Sequence, residues 1–198
     1  MKKIPTLFDR TFKDHKVIGI TDKITPGCEE AFLRGIATVK YDGSCCAIID
    51  GEFYKRYDAK VGKRKPPVGA IPCCEPDPVT GHWPHWVKVD WNNPADKWFV
   101  EAYHNAYAFE NMIVTLPSES FEDGTYEAIG PHFQGNPYRY SLDILERHGE
   151  DTVTVERDFE SIKNFLRTHK IEGIVFWLND EPVCKIKRTD FGFDWPVR

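Results

Sequence analysis

The chain has 198 residues, of which 41% are hydrophobic and 14% aromatic. This composition suits a protein with a packed core and excludes a disordered chain. No apolar run reaches about 18 residues, which argues against a membrane-spanning helix, and the first five residues lack the apolar stretch of a signal peptide. The net charge of −5 argues against binding nucleic acid through overall charge. We expect one cytoplasmic domain over 1–198.

A lysine precedes an Asp-Gly pair early in the chain, at Lys40-Tyr41-Asp42-Gly43. Apolar runs over 35–39 and 45–49 flank it, and this pattern predicts two short strands joined by a tight hairpin turn. Asp50-Gly51 predicts a second turn, followed by a strand over 52–56. A lysine in such a place becomes a nucleophile when burial or nearby cations remove its proton. The ordinary alternative is a surface lysine beside a hairpin.

A group of basic residues follows within the eleven positions 55–65: Lys55, Arg56, Lys60, Lys63, Arg64 and Lys65. The group predicts either a solvated basic loop or a strip that contacts phosphates. Lys55, Lys63 and Arg64 are our candidates for contacts with the phosphates of a nucleic acid.

Residues 58–96 are rich in proline and glycine and are predicted to form a long internal loop. They include two cysteines and two histidines that raise the question of zinc: Cys73, Cys74, His82 and His85. Their spacing fits no common structural zinc site. We therefore interpret 80–86 as a packed loop near a functional site.

Regular elements are predicted again in the second half of the chain. Apolar and aromatic runs cover 98–107, 112–116 and 124–129. Asp158 to His169 predicts a helix, because its apolar residues recur at helical spacing and Asp158 can cap its N-terminus. A strand over 173–178, a turn over 179–182 and a strand over 183–187 follow. The pattern indicates an α+β domain with antiparallel sheet.

Two lysines stand two residues apart on the last predicted strand, at Lys185 and Lys187. Their ammonium groups should lie on one face of the strand while Ile186 packs on the other. Two cations on one face suit the charge of a transferring phosphate. The alternative is an ordinary exposed strand face.

In this order, Lys40-Tyr41-Asp42-Gly43, Tyr126-Glu127, Glu172-Gly173-Ile174-Val175 and Lys185-Ile186-Lys187 resemble the motifs of the covalent nucleotidyltransferase superfamily. That superfamily comprises ATP-dependent RNA and DNA ligases and mRNA capping enzymes. The segment over 127–138 is most similar to vertebrate-type RNA ligases, which join a 5′-phosphate to a 3′-hydroxyl. The resemblance implies an antiparallel-sheet, ATP-grasp-like adenylation domain with a few helices. Because the chain ends eleven residues after Lys187, we expect no C-terminal oligonucleotide-binding (OB) barrel.

The resemblance also implies a role for each motif. Lys40 would attack ATP to form a lysyl-AMP, and Lys185 and Lys187 would stabilise the transferred phosphate. Glu172 would bind Mg²⁺ (or Mn²⁺). The residues implied for nucleotide binding are Asp42, Gly43, Arg56, Glu127 and Ile174.

Within that nucleotide set, Glu127 would accept hydrogen bonds from the ribose, and Arg56 would contact the nucleotide or the 5′-phosphate end. Ile174 would form an aliphatic wall of the base pocket. An aromatic ring should stack on the other side of the base, and Phe99, Phe133 and Tyr138 are the candidates.

We therefore predict a monomeric ATP-dependent RNA ligase that acts on 5′-phosphate and 3′-hydroxyl RNA ends. The alternatives are a DNA-nick ligase, a GTP-dependent capping-type enzyme and a catalytically silent nucleic-acid-binding module. Many DNA ligases and capping enzymes have arginine two residues after the Asp-Gly pair, and this chain has Cys45 there. That difference favours an RNA ligase.

Overall fold

The structure is a computed structural model that describes residues 3–14, 16–110 and 121–197, without the side chains of 106–110. The chain forms two compact units. We call the first the terminal unit (Lys3–Tyr41 and His148–Arg198) and the second the central unit (Asp42–Arg147). In the described ranges no helix is both long enough and apolar enough to cross a lipid bilayer.

The strands are β1 (Phe8–Lys13), β2 (Lys16–Ile24), β3 (Ile36–Lys40), β4 (Ser44–Ile49), β5 (Glu52–Lys60), β6 (Ile71–Pro72), β7 (His82–Lys88), β8 (Gly124–Ile129), β9 (Ile144–Arg147), β10 (Gly173–Leu178) and β11 (Glu181–Lys187). The α-helices are α1 (Glu29–Arg34), α2 (Lys97–Glu110) and α3 (Phe159–Thr168), and 3₁₀ turns cover Pro94–Asp96 and Arg188–Phe191.

The central unit contains a six-stranded antiparallel sheet with strand order β6-β7-β5-β4-β8-β9. The predicted turn between β4 and β5 is confirmed, because Asp50 and Gly51 both have positive φ angles, 52° and 72°, as a two-residue hairpin turn requires. Asp123 accepts hydrogen bonds from both of these amides, at 2.8 and 3.0 Å. The turn therefore fixes the register of the two strands.

One face of this sheet packs against α2. The face presents Cys46, Ile48, Phe53, Tyr126 and Ala128, all buried, and the helix adds the partly buried rings of Trp98, Phe99 and Tyr103. Each large apolar side chain buried in this way contributes roughly 1.5–3 kcal/mol to folding. The apolar run over 98–107 thus lies in a helix, whereas the run over 112–116 falls outside the described residues.

The terminal unit contains a three-stranded antiparallel sheet of order β11-β10-β3 and the hairpin β1-β2. The predicted strand over 173–178 and the turn after it are confirmed, since Asn179 and Asp180 have φ angles of 51° and 61°. The predicted helix is confirmed as α3, whose cap Asp158 accepts the amide hydrogen of Ser161 at 2.9 Å. Its apolar face is buried through Ile162 and Leu166.

The hairpin predicted at Lys40-Tyr41-Asp42-Gly43 is wrong. β3 pairs with β10, and β4 pairs with β5 and β8, so the two strands belong to different sheets. Neither Asp42 nor Gly43 has the positive φ angle that a two-residue hairpin turn requires. The Asp-Gly pair therefore lies in the connection between two sheets and not in a hairpin turn.

The segment 58–96 is not loop throughout, because it includes the end of β5, all of β6 and β7, and a 3₁₀ turn. Pro84 concealed β7 from the sequence pattern, since proline usually argues against a central strand. Pro84 is nevertheless buried opposite Asp58, and β7 pairs with β5 over seven residues. The aromatic and histidine residues of 82–86 form this strand.

The α+β prediction with mostly antiparallel sheet is confirmed among the described residues. The ATP-grasp-like adenylation fold, the single domain over 1–198 and the lack of an OB barrel stay predictions.

Candidate active site

Two lysines converge on one carboxylate in the terminal unit. Gly173 pairs with Lys40 on one side and with Lys187 on the other, so both lysines reach the residue just before it, Glu172. The Lys40 ammonium donates to Oε2 of Glu172 and the Lys187 ammonium donates to Oε1. Residues that are 132 positions apart in sequence (40 and 172) thus form one ion-pair cluster.

The glycine of the Glu-Gly pair is required by the packing of β10. A Cβ atom on residue 173 would lie 2.2 Å from the carbonyl oxygen of Ile186, so only glycine allows this approach of β10 and β11. The adjacent Glu172 side chain is only 5% exposed. Burying a carboxylate costs free energy unless cations or hydrogen-bond donors bind its oxygens. Here one lysine binds each of the two oxygens.

Lys185 lies on the same face as Lys187, and Ile186 is buried in the core, as predicted. Burial lowers the pKa of Lys185 to about 8, and the nearby positive charges of Lys40 and Lys187 add to this effect, against the opposing charge of Glu172. The cluster therefore contains three basic groups and one carboxylate. Such an excess of positive charge suits an anion such as a phosphate group.

The strand end that carries Lys40 is anchored by Asp151. The hydroxyl of Tyr41 donates to Oδ2 of Asp151 at 2.6 Å, and the amide of Val39 donates to the Asp151 carbonyl at 2.8 Å. These bonds restrict the backbone on both sides of Lys40. The sequence held no signal for Asp151, because the contact joins distant parts of the chain.

Ile174 and Val175 lie on opposite faces of β10, and the predicted role of Ile174 in a base pocket stays a prediction. Ile174 is fully buried in the core of the terminal unit, on the face opposite the lysine cluster. Val175 is the aliphatic residue on the lysine face, directly opposite Lys185 in the register. The four-residue motif over 172–175 does not by itself indicate which of these two residues faces the core.

In the central unit, Gly43 and Glu127 are in contact. The Gly43 amide donates to Oε1 of Glu127 at 3.0 Å, and a Cβ atom on residue 43 would lie 2.2 Å from the Ala128 carbonyl oxygen. The Asp42 amide donates to the Tyr138 hydroxyl at 2.7 Å. These contacts bring the Asp-Gly pair, Glu127 and Tyr138 together.

Cys45 lies opposite Glu127 in the register of β4 and β8. Burial raises the pKa of its thiol to about 12, and the negative charge of Glu127 adds to the effect. The nearby positive charge of Arg56 opposes this effect. Cys45, Arg56 and Glu127 therefore share one face of the six-stranded sheet.

Lys55 lies on the other face of that sheet. It pairs in register with the buried Cys46, and its ammonium is bonded to Asp96, whose side chain is 2% exposed. The Lys55 charge neutralises this buried carboxylate, and a contact of Lys55 with RNA or phosphate stays a prediction. Arg56 is the basic residue of β5 on the Glu127 face.

The other predicted phosphate contacts lie at the tip of β5. Lys63 and Arg64 are exposed in a turn closed by hydrogen bonds between the backbones of Lys60 and Arg64. The Arg64 guanidinium lies 4.4 Å above the Tyr57 ring centroid. This tip is open to a polyanion.

The three aromatic candidates for base stacking differ in position. Phe99 and Phe133 pack edge to face against one another, with ring centroids 5.2 Å apart, in the core of the central unit. Tyr138 instead lies beside Asp42 and stacks with Tyr140. Of the three rings, Tyr138 is thus the one that lies beside the Asp-Gly pair.

The cysteine and histidine residues of 73–85 have separate partners. Nε2 of His82 lies 3.1 Å from Oδ1 of Asp58, and Nδ1 of the buried His85 lies 2.8 Å from the Trp83 carbonyl oxygen. The Trp83 ring nitrogen donates to the Cys74 carbonyl at 2.8 Å. The predicted packed loop is therefore a strand whose side chains are held by hydrogen bonds.

A sequence profile of the family described as RNA ligase 1 matches residues 72–198, more than half of the chain. The chain belongs to the RNA ligase 1 family. The predicted resemblance to RNA ligases is confirmed at this level. The matched range includes Glu127, Glu172, Lys185 and Lys187 and begins after Lys40.

Curated members of the family show the same similarity. RNA ligase 1 of Pongo abelii is 28% identical over 144 residues, and RNA ligase 1 of Danio rerio is 29% identical over 141 residues. Each alignment covers 59% of this chain and 43% of the relative. The chain thus spans less than half the length of the RNA ligase 1 relatives that it matches.

Proposed function

We propose that this protein is an ATP-dependent RNA ligase that joins 5′-phosphate and 3′-hydroxyl ends through a lysyl-AMP. The observation that supports this proposal is the cluster in which Lys40 and Lys187 share the buried carboxylate of Glu172. Lys185 lies on the same face of the sheet. The names of the curated relatives support RNA as the substrate. They favour this function over a DNA-nick ligase or a capping-type enzyme.

In the first step, Nζ of Lys40 attacks the α-phosphorus of ATP. A phosphorus–nitrogen bond forms, the bond between the α- and β-phosphates breaks, pyrophosphate leaves, and the amine loses its proton to solvent. Attack requires a neutral amine, so the contact between Lys40 and Glu172 must break when ATP binds. Lys185 and Lys187 then stabilise the negative charge of the transferring phosphate.

Mg²⁺ (or Mn²⁺) fits the donor chemistry of this cluster. Glu172 offers two carboxylate oxygens, and magnesium sites commonly combine one or two carboxylates with phosphate oxygens and water. When bound, the ion would neutralise phosphate charge. Glu172 would hold it with the oxygen that Lys40 releases.

The second and third steps use the same groups. An oxygen of the RNA 5′-phosphate attacks the AMP phosphorus, the phosphorus–nitrogen bond breaks, and Lys40 regains a proton as it leaves. The 3′-hydroxyl of the other end then attacks the 5′-phosphorus, loses its proton, and displaces AMP. Lys185 and Lys187 again stabilise the phosphate charge, so positioning and electrostatics account for the catalysis.

The residues proposed for recognition lie in the central unit. Glu127, fixed by the Gly43 amide, would accept hydrogen bonds from the ribose. Tyr138, adjacent to Asp42, would stack on the base. Arg56 on the Glu127 face, with Lys63 and Arg64 beyond it, would contact the phosphates of the RNA end.

The test is a ligation assay on the purified chain with a 5′-phosphorylated RNA oligonucleotide, ATP and Mg²⁺. We expect a circular or joined product, and an adenylated 5′ end as an intermediate. Parallel reactions with GTP, and with a DNA oligonucleotide of the same sequence, separate the capping-type and DNA-ligase alternatives. Binding of RNA without any nucleotidyl transfer would instead indicate the catalytically silent module and contradict the proposal.

A further inference from the structure

Three polar side chains form a second cluster, on the Glu127 face of the central sheet. Nε of Arg56 donates to Oδ1 of Asp58 at 3.0 Å, and Nη2 of Arg56 donates to Oδ2 at 3.4 Å. Nε2 of His82, on the neighbouring strand β7, lies 3.1 Å from Oδ1 of the same carboxylate. Asp58 thus links Arg56 to His82.

The bond between Asp58 and Arg56 restricts a flexible side chain. The two residues are two positions apart on β5, so they lie on the same face, and the carboxylate meets the guanidinium with both oxygens. A fork-shaped pair of this kind fixes the plane of the guanidinium. The Arg56 side chain is 32% exposed and Asp58 is 49% exposed, so both remain open to a ligand.

His82 is the second hydrogen-bond partner of the Asp58 carboxylate. Burial alone would raise the pKa of the Asp58 carboxyl, but hydrogen bonds from Arg56 and His82 outweigh that effect and hold the pKa below its usual value. The carboxylate is therefore kept ionised and in place from two sides. This accounts for His82, which the lysyl-AMP chemistry does not use.

The surroundings of Arg56 fit a polynucleotide end better than free ATP. Lys60, Lys63 and Arg64 are exposed beyond it, at the end of β5 and in the turn that follows. A row of exposed cations suits the backbone of an RNA strand. The fork of a fixed guanidinium matches the oxygens of a terminal phosphate.

We propose that Asp58 is a positioning residue, which holds Arg56 in the orientation that meets the 5′-phosphate of the RNA, and that His82 fixes Asp58. The inference rests on the proposed function, since it concerns the RNA-dependent steps. It adds two residues, Asp58 and His82, to which no motif assigns a role. Pre-orienting Arg56 lowers the cost of binding the phosphate in a reactive geometry.

The experiment measures two quantities for each variant: labelling of the protein by α-labelled ATP, and transfer of labelled AMP to a 5′-phosphorylated RNA oligonucleotide. For Asp58→Asn we expect the ratio of transfer to labelling to fall about tenfold or more. A loss of fold would lower labelling as well and leave the ratio intact. The ratio therefore separates positioning from structural damage.

The background variant Arg56→Met tests whether Asp58 acts through Arg56. Alone, it should lower the ratio at least as much as Asp58→Asn. In the double variant the second substitution should have no further effect, because there is no guanidinium left to orient. An additional loss in the double variant would overturn the inference.

His82 gives a second test that does not depend on Asp58 variants folding. His82→Gln keeps an amide donor near the position of Nε2 and should retain the ratio, whereas His82→Ala should lower it several-fold. Equal ratios for wild type, Asp58→Asn and His82→Ala would overturn the inference while leaving the ligase function intact. A wild-type chain that takes no label, or transfers none to RNA, would overturn the proposed function and this inference with it.

Discussion

Lys185 and Lys187 lie two residues apart on the same face of β11, but their charges are in different surroundings. The Lys187 ammonium is bonded to Glu172, whereas Lys185 is partly buried among positive neighbours that help lower its pKa to about 8. A cation in such a place destabilises the folded chain while no anion is bound. This explains why the cluster suits a phosphate.

The first prediction concerns the stability of Lys185→Met. At pH 7 the variant should have a higher unfolding free energy than wild type, by on the order of 3 kcal/mol, because lowering the pKa of Lys185 from 10.5 to about 8 costs the folded wild type about 1.4 kcal/mol per pKa unit. It should also lose lysyl-AMP formation. Thermal denaturation and labelling by ATP measure the two effects, and Lys187→Met, which removes a partner of buried Glu172, should be destabilised instead.

The same pKa predicts how the gain depends on pH. Below pH 8 Lys185 is protonated in both the folded and the unfolded chain, so the destabilisation is fully present. Between pH 8 and 10.5 the unfolded chain holds more protons, so the unfolding free energy of wild type rises with pH relative to the variant. The difference between the two proteins should therefore shrink over this range, and a constant difference would contradict the assigned charge state.

The second prediction concerns Glu172→Gln. Removing the carboxylate leaves three ammonium groups together, so the unfolding free energy should fall by on the order of 3 kcal/mol. Lysyl-AMP formation should be lost in the folded fraction, because the proposed metal ligand is absent. Urea denaturation measures the first effect and labelling at low temperature the second. Wild type treated with a chelator should lose labelling but keep its stability to urea.

Some of this cluster could be predicted from local sequence and some could not. Alternation along a strand placed Lys185 and Lys187 on one face and Ile186 in the core, and the Asp158 cap and the Asn179-Asp180 turn fixed the neighbouring elements. All of these signals act over a few residues. The pairing of Lys40 and Lys187 with Gly173 depends on strand order, which no local pattern carries.

The points that the sequence could not decide also depend on strand pairing. Asp42-Gly43 and Asp50-Gly51 look alike in sequence, but only the second joins paired strands, because the partner of β3 lies more than 130 residues away on β10. Whether Lys55 or Arg56 lies on the Glu127 face, and whether Ile174 or Val175 lies on the lysine face, is in each case a choice between adjacent residues. A shift of one residue reverses the face of a strand, so composition and spacing cannot decide them.

The third prediction separates Lys55 from Arg56. Lys55→Met leaves buried Asp96 without its cation and should lower the unfolding free energy by on the order of 3 kcal/mol, with ligation per folded molecule retained. Arg56→Met should keep most of the stability, because its partner Asp58 is half exposed, and should lose AMP transfer to RNA. Denaturation and transfer assays on both variants check this. Loss of AMP transfer to RNA with Lys55→Met would instead indicate that Lys55 contacts the phosphate.

The fourth prediction tests base stacking on Tyr138. Tyr138→Leu should raise the KM for ATP about tenfold, since stacking of a base on an aromatic ring contributes roughly 1–3 kcal/mol. Tyr138→Phe keeps the ring and should stay within a few-fold of wild type. Phe99→Leu is the control, because it alters the core and should change stability but not KM. A normal KM with Tyr138→Leu would exclude this residue as the stacking partner.

The most direct test of the central claim is labelling of the chain with α-labelled ATP and Mg²⁺, with wild type beside Lys40→Arg. Arginine keeps a positive charge for Glu172 but does not lose its proton, so the variant should fold and not react. We predict a labelled wild-type band after denaturing electrophoresis, with AMP mapped to the peptide that contains Lys40, and none with Lys40→Arg. Label retained by Lys40→Arg, or absent from wild type, would contradict Lys40 as the nucleophile.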